Sequence, residues 1–149
     1  MDGASLVLHV DGGSRGNPGP AGYGVVVADE AGQILDRLHA SLGRQTNNYA
    51  EYCGLLAALR YALERGAHRV RVVADSELLV RQMQGRYAVK SENLRSLFEE
   101  ARGLARQIPD FAIAHVRREH NREADQLANL AMDGAAAGPS GAGRPRPRK

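Results

Sequence analysis

Apolar residues fall into short runs up to about residue 45 and into helical stripes after it. Residues 5–10 are nearly all apolar and predict a buried strand. The stretch from Asp11 to Pro20 is dense in turn formers and predicts a loop. β-branched residues mark 24–28 as a second strand, 29–32 as a turn and 33–42 as a third strand. Thr46 or Asn47 is positioned to cap a helix running to about residue 65, with Gly66 as its stop. On that helix Glu51, Leu55, Ala58, Leu59, Ala62 and Leu63 share one face. Residues 69–74 predict a fourth strand, and 76–84 a short helix ending at Gly85. Residues 92–107 predict a helix capped by Ser91 and stopped by Pro109. Residues 111–117 predict a fifth strand, and 121 to about 132 a last helix. The order is βββαβααβα. Three strands on short connections read as an antiparallel meander, and the later β-α-β crossovers add parallel strands, so the sheet is mixed.

The length of 149 residues suits one domain. With no Trp, five Tyr and two Phe, a base-stacking aromatic platform is not the expected binding device. The formal charge is +3, but Arg144, Arg146, Arg148 and Lys149 supply all of it, leaving residues 1–143 at −1. Bulk basicity of the body is therefore no grip on nucleic acid, whereas the tail is able to contribute one. From residue 134 onward small residues, Pro and Arg offer no apolar face, so 1–133 reads as the domain and 134–149 as a disordered basic tail. Cys53 is the single cysteine, which excludes an intrachain disulfide. The apolar run at 6–10 is too short for a signal peptide and no run reaches transmembrane length, so a soluble, cytoplasmic monomer without a membrane partner is expected.

The candidate chemistry lies in four carboxylates. Asp11 and Asp75 each directly follow an apolar strand, at the carboxyl ends where α/β sheets bind ligands. Glu51 lies in the first turn of its helix, on the apolar face turned toward the sheet. Asp125 lies near the start of the last helix. Each alone has an ordinary structural explanation as a cap, a turn residue or a partner of the helix dipole. Together they would repel one another unless divalent cations lie between them. Oxygen-only ligation selects Mg²⁺ or Mn²⁺, and paired ions of that kind serve phosphodiester hydrolysis.

These residues stand in recognisable surroundings. The stretch from Asp11 to Gly24, DGGSRGNPGPAGYG, resembles the signature around the first catalytic aspartate of type 1 ribonuclease H. Thr46-Asn47-Asn48-Tyr49-Ala50-Glu51, Ala74-Asp75-Ser76 and the run from Asn121 to Ala128 resemble its second, third and fourth motifs, in the same order. The resemblance implies the ribonuclease H fold, a five-stranded mixed sheet flanked by helices. It implies metal-dependent endonucleolytic hydrolysis of the RNA strand of an RNA/DNA hybrid, leaving 5′-phosphate and 3′-hydroxyl ends. Asp11, Glu51, Asp75 and Asp125 would hold two metal ions. Gly12, Asn47 and Asn48 would lie near RNA 2′-hydroxyls, which backbone groups and neutral amides are able to read. Asn17 and Thr46 would belong to a phosphate pocket for the DNA strand.

The chain also departs from the pattern. Larger members carry a basic protrusion rich in Lys and Trp between the third and fourth motifs. Here residues 85–95 hold only Arg86, Lys90 and Arg95, so hybrid affinity from that element is reduced. A mobile histidine often precedes the fourth motif. His120 stands in that loop and is taken as the auxiliary catalytic residue, with Glu119 as the competing candidate by distance from the strand end. His9 reads as a core residue, and His39 and His68 as surface residues. Double-stranded RNA is a further substrate compatible with the same site. The competing reading is a catalytically weak or silent module that binds hybrids or double-stranded RNA. No Walker loop, nucleophile elbow or calcium-binding loop is present.

Overall fold

The computed structural model describes residues 4–137. Strands β1 (Ser5–Ser14), β2 (Gly19–Ala28) and β3 (Ile34–Gln45) form an antiparallel meander. Strands β4 (Arg69–Ala74) and β5 (Asp110–His115) add to it in parallel, giving one five-stranded mixed sheet in the order β3-β2-β1-β4-β5. Helices α1 (Asn47–Glu64), α2 (Glu77–Met83), α3 (Glu92–Arg106) and α4 (Arg122–Ala137) complete the chain, with a 3₁₀ turn at Arg118–His120. The element order is the one the hydrophobic pattern predicts.

The period-two pattern of β2 divides the molecule into two layers. Val25 and Val27 point into the main core with Leu6, Leu8, Val10, Val70 and Val72, under Leu55 and Leu59 of α1. Gly24 and Val26 face the other way. A Cβ on Gly24 would come within 2.4 Å of Leu127 Cβ and 2.5 Å of the Ala124 carbonyl, so α4 lies directly on the bare backbone of β2. The buried alanines Ala124, Ala128 and Ala131 give α4 the flat face that this approach needs.

The strands run further than local signals suggest. Of the stretch expected as a loop, residues 15–18 make the connection, while 11–14 and 19–20 continue the ladder, with Asp11 opposite Gly24 and Ser14 opposite Ala21. Pairing gives those backbone groups partners, and this outweighs the weak strand preference of glycine. In contrast, β5 ends at His115, and the chain turns through the 3₁₀ element, which no apolar period announces. Helix α4 continues five residues past Met132 to Ala137, because Ala135, Ala136 and Ala137 are strong helix formers. It therefore takes in residues 134–137, which composition had placed in the tail. Residues 138–149, the remainder of the expected disordered tail, lie outside the described residues. Among the described residues no helix is long and apolar enough to cross a membrane.

Candidate active site

Asp11 lies within β1, whose neighbours are β2 and β4. Its side chain is only 8% exposed, and its Oδ1 accepts a hydrogen bond from Gly12 N at 2.9 Å. Asp75 follows β4, one position past the Val10–Ala74 pair, so the parallel register brings it level with Asp11. Asp125 lies in the first turn of α4, and its backbone amide donates to the Asn121 carbonyl at 3.0 Å. The three carboxyls come from three separate elements and meet. Burial, the charges of Asp75 and Asp125 and hydrogen bonding to both push the Asp11 carboxyl up to about 9.

Glu51 reaches the same place from α1. The helix passes so close to β1 that a Cβ on Gly12 would lie 2.6 Å from the Ala50 carbonyl carbon and oxygen. Only glycine permits that approach. Burial and the Asp75 charge raise the Glu51 carboxyl to about 7, against the opposing pull of a Ser76 hydrogen bond and the Arg118 charge.

Asp75 Oδ2 is buried and has no hydrogen-bond partner. Among the described residues its one basic partner is Arg118, with Nε at 3.7 Å, on a side chain that is 80% exposed. A buried carboxylate oxygen left unpaired beside two other acids marks a place where a cation fits. The donors are all oxygen, which suits a hard divalent ion such as Mg²⁺ or Mn²⁺. Among the described residues no three acidic, histidine or cysteine side chains form a finished coordination group. The acids gather around Asp11, while Asp75 leans on Arg118 and Glu51 on Ser76.

Beside the acids lies a cleft of about 470 Å³, lined by Asp11, Gly12, Asn47, Asn48, Glu51 and Asp125 among others. Asn47 is not the cap of α1, because Thr46 Oγ1 takes that bond from Tyr49 N at 3.2 Å. Asn47 instead staples α1 to β1: its Oδ1 accepts from Ser14 N at 2.7 Å, and its own amide donates to Asn17 Oδ1 at 3.0 Å. Asn17, Thr46 and Asn48 line a second depression with Ser91 and Asn93. Asn48 lines both, so the two depressions adjoin, one at the acids and the other at the N-terminal ends of α1 and α3.

Comparison with known proteins decides what this arrangement belongs to. A family model described as "Reverse transcriptase-like" matches residues 9–131. The ribonuclease HI of Halobacterium salinarum is 40% identical over 133 residues, covering 89% of this chain and 67% of that protein. The chain belongs to the type 1 ribonuclease H family. The "Bifunctional protein Rv2228c" of Mycobacterium tuberculosis is 49% identical over 133 residues, covering 88% of this chain and 36% of that protein. The chain therefore spans about a third of the length of that relative. The solved N-terminal RNase H domain of the same protein superposes with a TM-score of 0.87 at 47% identity, covering 90% of this chain and 97% of that one. LC11-RNase H1, solved in complex with an RNA/DNA hybrid, gives 0.83 at 43% identity, covering 88% and 99%. These likenesses establish the ribonuclease H fold.

The structure separates the auxiliary candidates. His120 is exposed and does not line the acidic cleft. It lines another cavity, of about 390 Å³, with Val7, His9, Val26 and Glu123. Glu119 is exposed and lines neither cavity. Arg118, which sequence reasoning passed over, is the residue of that turn that enters the cleft. Its position depends on the 3₁₀ turn, so the only signal in the chain was its place between the last strand and the fourth motif. Arg15 and Asn129 also line the cleft, and both were missed. Arg15 pairs with Asp133 and donates to the Asn129 carbonyl at 3.2 Å, tying the β1–β2 hairpin to α4. His9, read as core, is half-buried and lines the cavity that holds His120. The strand's alternation turns it away from the core that contains Leu8 and Val10.

Proposed function

We propose that this ribonuclease H cuts the RNA strand of RNA/DNA hybrids internally, with two divalent cations, Mg²⁺ or Mn²⁺, held by Asp11, Glu51, Asp75 and Asp125. The observation that carries the reading is the meeting of three carboxyls from separate elements beside an open groove, with one buried oxygen of Asp75 unpaired. A site built for a neutral or anionic ligand would not keep such a cluster. Bound in this cluster, the ions supply Lewis acidity at the scissile phosphate, an activated water and charge compensation on the departing oxygen.

The protein's own residues do the rest. Gly12, Asn47 and Asn48 present backbone and amide groups that read RNA 2′-hydroxyls, which a DNA strand lacks. Asn17 and Thr46 hold a phosphate of the DNA strand further along the groove. Arg118 sets a positive charge beside Asp75 and the cut phosphate. His120, or Glu119 in its place, moves a proton as the products leave. The products carry 5′-phosphate and 3′-hydroxyl ends. Every named side chain comes from one copy of the chain, so a monomer suffices.

The test is an end-labelled RNA oligonucleotide presented with DNA, with RNA and alone, in Mg²⁺, Mn²⁺ or EDTA. Metal-dependent cutting of the hybrid alone is the expected result, and Asp11→Asn should abolish it. Cutting of both duplexes keeps the site and widens the substrate to double-stranded RNA. No cutting by a folded protein in either metal would instead make it a silent binding module.

A further inference from the structure

Asn121 is 2% exposed, directly before α4. A residue there is expected to cap the helix by accepting a backbone amide with its side-chain oxygen. Asn121 forgoes that bond. Its carbonyl accepts from Asp125 N at 3.0 Å, as a cap residue's does, but its side-chain amide turns away from the helix. Nδ2 donates to the carbonyl of Val10 at 2.9 Å, across 111 positions of sequence, and Oδ1 is buried without a partner. Val10 is the residue before Asp11. A buried polar group left half satisfied in a native fold calls for a reason beyond stability.

We infer that Asn121 is a positioning residue that fixes the spacing between the Asp11 and Asp125 carboxyls, and so the geometry in which a divalent cation is held. The inference rests on the proposed metal-dependent reading of the site. One side chain fastens the backbone of β1 just before Asp11 to the start of the helix that carries Asp125. The other hydrogen bonds between the β1–β2 hairpin and α4, from Arg15 to Asn129 and Asp133, lie two turns or more further along the helix. At the first turn itself Arg37 of β3 pairs with Glu123, a tie that runs to β3 and not to the strand that carries Asp11. Asn121 does not line the acidic cleft but the separate cavity that holds His9 and His120, so an effect on metal affinity would reach the site through the two aspartates. Residues that orient metal ligands in this way typically change metal affinity by about 10- to 100-fold when replaced.

Two substitutions separate positioning from capping. Asn121→Ser restores a strong local cap for α4 but is too short to reach Val10. Asn121→Ala removes both functions. Mn²⁺ affinity is measured by electron paramagnetic resonance on the hybrid-free protein, followed by kcat and KM on hybrid. Both variants are expected to bind Mn²⁺ about tenfold more weakly and to lose kcat by a similar factor. KM should change far less, and Asn121→Ser should melt closer to the wild type than Asn121→Ala does. Wild-type Mn²⁺ affinity and kcat in Asn121→Ser would reduce the residue to a helix cap and overturn the inference. A wild-type protein that binds Mn²⁺ but cleaves no hybrid would overturn the proposed function instead, leaving the affinity comparison to judge Asn121. If Asn121→Ala fails to fold, Asn121→Ser alone decides between the two.

Discussion

Replacing Asp11 by Asn should abolish cleavage and, in metal-free protein, stabilise the fold. In the unfolded chain the carboxyl has its ordinary value of 3.8, whereas the folded site raises it to about 9. The folded state thus binds the proton more tightly. Stability is greatest below the unfolded value and falls as pH rises from about 4 toward 9. Each pH unit in that window costs about 1.4 kcal/mol, so the ceiling at pH 7 is about 4 kcal/mol. The cleft is open, and water and side-chain rotation recover part of this. An Asn keeps the Oδ1 that accepts from Gly12 and carries no charge. A gain of about 1–2 kcal/mol, or about 3–6 °C in Tm, is therefore expected near neutral pH. The assay is thermal unfolding in EDTA at pH 5 and pH 8, repeated with Mg²⁺. The advantage of Asn should grow with pH, and Mg²⁺ should raise the wild-type midpoint but not the variant's. An Asn variant that melts at or below the wild-type temperature at pH 8 in EDTA would refute the argument that this cluster stores repulsion.

Arg118→Ala should lower kcat by about tenfold or more, because it removes the cation that pairs with Asp75 among the described residues, while Arg118→Lys should keep part of the rate. His120→Ala and Glu119→Ala, assayed alongside, should separate the auxiliary candidates, and wild-type rates in both would move that role to Arg118. Truncation after Ala137 should weaken hybrid binding and flatten its dependence on salt, by up to about 0.9 in log–log slope for each phosphate that the tail neutralises, without changing the melting temperature. An unchanged slope would deny the tail its role. Gly12→Ala should destabilise the fold by about 1–3 kcal/mol, since its Cβ would meet the Ala50 backbone at 2.6 Å, and urea titration would measure that loss.

The hydrophobic pattern carries enough information for the element order, since period-two and period-3.6 stripes are local properties. The candidate acids were legible for a related reason. Asp11 and Asp75 interrupt apolar strands at their ends, and Glu51 stands on an otherwise apolar helix face. Tertiary structure decided what depends on pairing between distant segments. Gly12, Gly13 and Ser14 after Asp11 became strand because β2 lies opposite them. Asn47 became a staple between α1 and β1 because Ser14 and Asn17 come within reach. The 3₁₀ turn at residues 118–120 put Arg118 into the cleft and His120 outside it, a choice of direction that one-dimensional spacing does not encode. Asn121 looks like an ordinary cap in the chain, and only the folded molecule brings the Val10 carbonyl to its amide. A sequence records which groups are available, but a hydrogen bond or a raised pKa depends on distances of a few ångströms, which packing alone sets.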